Sequence, residues 1–408
     1  MTRPLHIKNA RIWDGEKHDF AIRDLYTANG RVVDQPHHDA LVVDLEGYTI
    51  FPGLVNAHDH LELNHFPRTK FRDVYDNAHQ WGEDVNARLN DEPFKTLRSY
   101  PLRDRLFIGG LKNLLCGVTT VVHHGPPHKP MFRKDFPVRV LKNYGWAHSL
   151  HFNTEEEIIK SYKNTPKNVS WFIHLAEGTD EVAASEFPKL IELGCIGENT
   201  VLVHGVGLLK DDIMQSFQFY GSGHGQQMPI VWCPTTNIYL LGETYHPRMG
   251  WNTQLALGSD SRLTADGDLL DEMRWIAKNS RFTNGEDAAV GLATKTIIRW
   301  GVWEKDKRIS VVHKDRADFV LIRSSENPAL SLCESTRKDL SLIAYNNIPQ
   351  IGDPDLMAKF PHVQTVACTL DGVEKRINIA LAKQIHRCKL KEKRLEVDDL
   401  PKGRFWLF

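Results

Sequence analysis

The amino-acid sequence predicts an α/β protein: a long βα region forming a parallel sheet or barrel, flanked by strand-rich segments at both ends. Three observations lead there. Residues 1–50 break into short stretches, LHIKNARIWDG, DLYTANGRVVD and ALVVDLEGYTIF, with Asp14-Gly15 and Asn29-Gly30 as hairpin-type turn signals. From residue 53 to about 305, apolar runs alternate with helical stretches, the pattern of parallel strands joined by helices. From about residue 308 the strand-rich character returns in ISVVHKDRADFVLIR, SLIAYN and HVQTVACTLDG. The termini are therefore expected to build one small β-sandwich, residues 1–52 with 308–380, and to carry residues 53–307 as an inserted barrel. The charged stretch AKQIHRCKLKEKRLEVDDL reads as a helix and, with the apolar tail RFWLF, makes a C-terminal helix-and-tail segment, 381–408.

Composition narrows the class. A length of 408 residues fits roughly two to three domains, or one large α/β barrel with a small companion. Hydrophobic residues at 41% and charged residues at 25% suit a globular protein with a full core. A formal net charge of −1 argues against a polyanion binder and gives no bias toward nucleic acid. No run approaches the ~18 apolar residues of a membrane span, and MTRPLHIKNARIWDG lacks a secretory apolar core. Cysteines 116, 195, 233, 333, 368 and 388 show no C-x-x-C spacing and read as buried thiols of a reducing cytoplasm. The expected partner is a small-molecule substrate, with neither nucleic acid nor membrane. The tail RFWLF is expected to dock on its own barrel or on a second subunit, which admits a homodimer.

The strand candidates of the βα region are, in order, GLVNAH, GVTTVVHH, GWAHSLHF, VSWFIHL, TVLVHG, PIVWCP and QLALGSD. Between them lie helices such as TDEVAASEFPKLIELG and LLDEMRWIAKNS. Functional residues of α/β barrels sit at the C-terminal ends of strands. Here those ends carry His58 and His60, His123 and His124, His148 and His151, His174 and Glu177, His204, and Asp260. Positions i and i+2 of a strand face one way, so the imidazoles of His58 and His60 converge on one point, and a metal ion is its natural occupant. An isolated H-x-H is more often a surface pair, and His174 alone would read equally well as a satisfied core histidine. The succession of such residues at one strand end after another carries the metal reading.

The order H-x-H, H-x-A-E-G, L-V-H-G and L-G-S-D, framed by F-P-G-L-V-N-A-H, C-G-V-T-T-V-V and A-D-F-V-L-I, resembles the amidohydrolase superfamily. Within it, the chain is most similar to the mononuclear branch of cytosine, guanine and S-adenosylhomocysteine deaminases and triazine hydrolases. The resemblance covers most of residues 1–325 and implies a (β/α)8 TIM barrel. Only seven strands are counted where eight are needed, and the stretch between GWAHSLHF and VSWFIHL is too short for a full βα unit. Either a short strand escapes notice or the fourth unit is degenerate and the barrel distorted.

The resemblance further implies that His58, His60, His174 and Asp260 bind one divalent metal. Zinc suits this ligand set, and iron or manganese would also fit. Glu177 would shuttle protons, His204 would orient water, and Asp260 would also accept the water's proton. Three neutral imidazoles and one carboxylate leave a divalent ion about one net positive charge with which to acidify water. Lys160, Lys163 and Lys167 fall in a helix or turn, and no strand candidate ends in lysine, so a binuclear site bridged by a carbamylated lysine is disfavoured.

Trp232, in VWCPTTN, departs from the family's H-C-P; it either stacks on a planar substrate or is core. His123, His151 and Arg68 are further candidates to touch substrate, Arg68 through a carboxylate, although a solvated arginine is the blander reading. Glu62 and Asn64 are placed at the pocket mouth. The expected function is metal-dependent hydrolysis of a C–N bond in a small nitrogen-rich ring, foremost deamination. Ring opening or a triazine-type displacement is the alternative, and a non-enzymatic scaffold comes last.

Overall fold

A computed structural model describes residues 3–14, 19–220, 228–246, 253–265, 267–279, 284–294 and 316–400. Gly15 of the Asp14-Gly15 turn, all of ISVVHK, the 307/308 boundary and the RFWLF tail lie outside the described residues. Among the described residues the βα region holds eight parallel strands: Leu54–Asp59, Val118–His123, Arg139–Val140, Gly145–Ala147, Trp171–Leu175, Thr200–His204, Met228–Trp232 and Thr253–Leu257. The first three form one hydrogen-bonded ladder and the other five a second. The strand missing from the sequence count is Arg139–Val140, which pairs with Thr120 and Val121. It precedes the third expected strand rather than following it. Two residues are too few to show any alternation, which is why the pattern hides them.

The last and first strands meet without a regular ladder. The amides of Ser259 and Asp260 both donate to the carbonyl of His58, at 3.2 and 3.0 Å. Gly258 makes this approach possible, because a Cβ there would lie 2.7 Å from the Cβ of His58. Val55, Ala57, Val122, Phe172, Val201, Val203, Val231 and Ala256 form one enclosed apolar cluster between the strands. Residues of opposite parity, such as Val121, Ile173, Leu202 and Leu257, join a larger outer core with the surrounding helices. Two expected helices form as Glu181–Glu192, begun by Asp180 accepting from the amide of Ala183 at 3.0 Å, and Leu269–Asn279.

Strands from both chain ends share a nine-stranded sheet, in which Tyr48–Pro52 pairs with Phe319–Arg323. A four-stranded sheet built within residues 5–44 packs on it. Leu5, Ile7, Leu25, Val43, Ile50, Phe319, Leu321 and Phe360 close one core between the two sheets. The chain leaves the nine-stranded sheet for the first parallel strand at Gly53. The charged C-terminal stretch is helical only over Ile379–Arg387, and Leu395–Val397 then pairs with Cys368–Leu370 as an edge strand. The buried Glu392 draws the chain back, receiving Arg262 Nη2 at 2.6 Å and Arg337 Nη1 at 2.7 Å. All six cysteines are free thiols, five of them buried. Among the described residues no helix is long and apolar enough to cross a membrane.

Candidate metal centre

Four donors converge at the C-terminal ends of the first, fifth and eighth parallel strands. Nε2 of His174 lies 3.3 Å from Nε2 of both His58 and His60. Oδ1 of Asp260 lies 3.6 and 3.7 Å from the same two nitrogens. Ligands ~2.0–2.2 Å from one ion stand roughly 3.3–3.6 Å apart at tetrahedral angles, and these four separations are of that order. Donor atoms of His58, His60 and His174, and of His58, His204 and Asp260, lie within 4.8 Å of one another in each group of three. The tautomer of His174 agrees with this. Its Nδ1 must donate to the carbonyl of His148 at 2.8 Å, which leaves the Nε2 lone pair facing the other donors.

Burial favours the neutral imidazole of His58 and His174, the form a metal ligand takes. It lowers His58, and it puts His174 well below its ordinary value with help from neighbouring His124 and His148. Burial also lowers His204, to about 3. For Asp260 burial pushes upward, but its hydrogen bond to His58 and the nearby imidazoles of His60 and His204 outweigh it and hold the carboxyl below the usual carboxylate range. Glu177 behaves in the opposite sense. Burial, then the charges of Asp260 and Glu186, push it well above the usual range and favour its protonated form. Oε2 of Glu177 stands 3.5 Å from Nε2 of His204, whose Nδ1 pairs with the Asn237 amide at 2.9 Å.

Simple strand alternation does not put all of these side chains in the site. Val201 and Val203 face the enclosed cluster, so His204 in regular extended backbone would face the helices. Its φ of 75° turns it back, and Ala176 and Asp260 share the left-handed region at 53° and 51°. Such conformations cost on the order of 1–3 kcal/mol each in non-glycine residues, and here they sit at the strand ends that aim the site residues. At the first strand, a register irregularity between Asn56 and Asp59 brings His58 inward although Val55 and Ala57 already are.

Asp59, between the two histidines, points away from them into a wholly buried polar network. Its carboxylate receives Asn64 Nδ2 and Asn113 Nδ2, each at 2.7 Å, and pairs with Lys112 Nζ at 3.3 Å. Lys112 also donates to Ser259 Oγ at 2.9 Å and to the carbonyl of Asp260 at 3.2 Å. This network was missed in sequence. Lys112 sits inside a helix, Leu102–Leu115, where a charged residue reads as solvent-facing.

A cavity of about 470 Å³ opens above the four donors, within the size range of small-molecule sites. His124, His148, Glu177 and His204 line it with Phe66, Trp81, Trp146 and Phe152. Glu62 lines it as expected, whereas Asn64 is buried on Asp59. The four substrate candidates lie elsewhere. His123 has the parity of Val121 and faces outward, 3.7 Å from Glu62, so its neighbour His124 takes the inner position. His151 lies beyond the strand, which ends at Ala147, and pairs with Glu83 at 2.9 Å. Trp232 is core: its indole donates to Thr244 at 2.7 Å and its ring packs edge-on to Trp275. Arg68 donates to the carbonyl of Thr264 and lies over the ring of Tyr239.

No family model and no curated protein matches the chain. Solved structures do match. An adenosine deaminase from Xanthomonas campestris with bound zinc is 16% identical, with a TM-score of 0.65 over 88% of this chain and 96% of that one. The atrazine chlorohydrolase TrzN from Arthrobacter aurescens TC1, complexed with zinc, is 14% identical, with a TM-score of 0.68 over 88% and 98%. An amidohydrolase from an environmental sample of the Sargasso Sea is 15% identical, with a TM-score of 0.59 over 85% and 92%. The chain has the fold shared by these deaminase, chlorohydrolase and amidohydrolase structures.

Proposed function

We propose that this chain is a metal-dependent aminohydrolase that replaces an amine on a small, nitrogen-rich ring with oxygen and releases ammonia. The observation that carries this reading is a single cavity lined by two carboxyls, Asp260 and Glu177, whose surroundings shift them in opposite directions. The hydrogen bond to His58 and the nearby imidazoles favour the carboxylate of Asp260, and burial favours the acid form of Glu177. His58, His60, His174 and Asp260 are read as ligands of one divalent ion, zinc by preference. When bound, that ion supplies Lewis acidity that makes water nucleophilic near neutral pH.

The residues of the chain then divide the proton work. Asp260 accepts the proton of the attacking water, and His204 orients that water. Glu177 gives its proton to the ring nitrogen, takes up the proton of the added hydroxyl and passes it to the departing amine, so the ring carbonyl forms and ammonia leaves; the proton held by Asp260 then returns to Glu177. The aromatic lining of Phe66, Trp81 and Trp146 suits a planar ring and excludes bulk water. We read the eight parallel strands as a distorted barrel, residues 53–307. The two antiparallel-rich sheets are read as a sandwich of residues 1–52 and 308–380, followed by a C-terminal segment, 381–408. A cytoplasmic location is part of this reading.

A second reading, displacement of another leaving group or ring opening at the same site, is favoured by the likeness to the triazine hydrolase and atrazine chlorohydrolase structures. A coupled ammonia assay across aminopyrimidines, aminopurines, pterins and aminotriazines, with products followed by mass, separates the two. Ammonia release with retained rings supports deamination. Turnover without ammonia selects the second reading, and phosphatase activity as the main turnover defeats both.

A further inference from the structure

Arg105 stands on the helix Leu102–Leu115, one turn before Gly109. A Cβ at Gly109 would fall 2.2 Å from the carbonyl oxygen of Leu61, so this helix touches the backbone leaving the first parallel strand. That contact sets Arg105 on the wall of the cavity with Glu62, Phe66, Phe94 and Arg98. Nε of Arg105 is shielded from solvent and has no hydrogen-bond partner among the described residues. The neighbouring Arg98 is anchored on the carbonyl of Leu89 at 3.2 Å.

A half-buried guanidinium on a cavity wall shared with Phe66 and Phe94, with no acid in salt-bridge contact among the described residues, is a cost to the folded chain. Burial destabilises the charge of Arg105, and with the repulsion of Arg98 it outweighs the attraction of Glu62. A planar, singly charged carboxylate matches the fork of an arginine and would supply the missing partner. Glu62 on the same wall disfavours a dianion such as a phosphate monoester.

We propose that Arg105, flanked by Arg98, recognises a carboxylate on the bound ligand, which makes the substrate class a nitrogen-rich ring bearing an acidic side chain. The word substrate rests on the hydrolase reading above; the anion site does not. Arg105 takes the role that the sequence offered to Arg68, whose guanidinium is committed to Thr264 and Tyr239.

The test uses the protein as purified and three probes built on one phenyl ring: benzoate, its planar neutral isostere benzamide, and phenyl phosphate. Trp81 and Trp146 line the cavity, so binding is read by tryptophan fluorescence. Benzoate is expected to bind roughly 10–100-fold more tightly than benzamide, and more tightly than phenyl phosphate. Arg105→Met should erase the benzoate preference, leave benzamide binding unchanged, and leave the melting temperature unchanged or higher. Arg105→Lys should keep part of the preference. A benzoate preference that survives Arg105→Met, as coordination to the metal would give, overturns the proposal. So does the absence of any preference, or a lower melting temperature in Arg105→Met, which would reveal a structural partner. Ammonia release plays no part in the readout, so failure of the aminohydrolase reading leaves this result standing, and the reverse.

Discussion

Replacing Lys112 with Met probes the buried network that holds the first and last parallel strands together beneath the four donors. Lys112 and Asp59 are both fully buried and 3.3 Å apart, and Lys112 also ties down Ser259 and the carbonyl of Asp260. Removing one partner of a buried pair typically costs about 3–5 kcal/mol, because the other charge is left uncompensated. Here Asp59 keeps the amides of Asn64 and Asn113 at 2.7 Å and of Asn56 at 3.2 Å, which places the loss near the lower end, about 3 kcal/mol. Guanidinium unfolding at pH 7 measures it. Zinc affinity, measured by chelator competition, should fall about 10–100-fold, the usual effect of losing support behind a metal ligand. Adding Asp59→Asn to Lys112→Met removes the orphaned charge and should recover most of the stability. A neutral Lys112→Met variant, or a double variant whose loss is the sum of the two singles, would refute the account of this network.

Glu177→Gln should retain the metal and the fold but lower turnover about 10²–10⁴-fold on a confirmed substrate; normal turnover would move the acid role to another residue. In metal-free protein, stability should fall as pH drops from about 6.5 toward 4. His148 and His204, lowered by burial to about 4 and about 3, stay neutral in the fold while the unfolded chain takes up protons. For His148 alone this is on the order of 3 kcal/mol, fully present above pH ~6.5, and a flat profile in denaturant titrations would contradict it. Trp232→Phe should cost about 1–2 kcal/mol through the lost bond to Thr244 and a looser fit against Trp275, and leave KM unchanged; a raised KM would return Trp232 to the site.

The residue types at strand ends were legible because histidine and carboxylate side chains are chemically distinctive, and the strands that carry them are apolar. The family resemblance singled out His58, His60, His174 and Asp260 as candidate ligands, and the structure sets the donor atoms of His174 and Asp260 each within 3.7 Å of those of His58 and His60. Parity was the information that sequence withheld. His123 and His124 differ by one position, and only the packing of Val121 outward and Val122 inward decides which faces the cavity. At His204 and Asp260 the backbone enters the left-handed region, so no alternation rule could assign them. Arg105 and Lys112 stayed hidden for another reason. Charged residues in an amphipathic helix read as solvent-facing, and only the close approach at Gly109 turns that face toward the strands. The two-residue strand Arg139–Val140 is below the length at which periodicity has meaning.

The measurement closest to the central claim is the metal content and position in crystals of the full-length protein grown with zinc, read by anomalous diffraction above and below the zinc edge. One ion per chain is expected, bounded by Nε2 of His58, His60 and His174 and by Oδ1 of Asp260, and lost in His174→Ala. Two ions in the cavity, or one ion held by other residues, would contradict it.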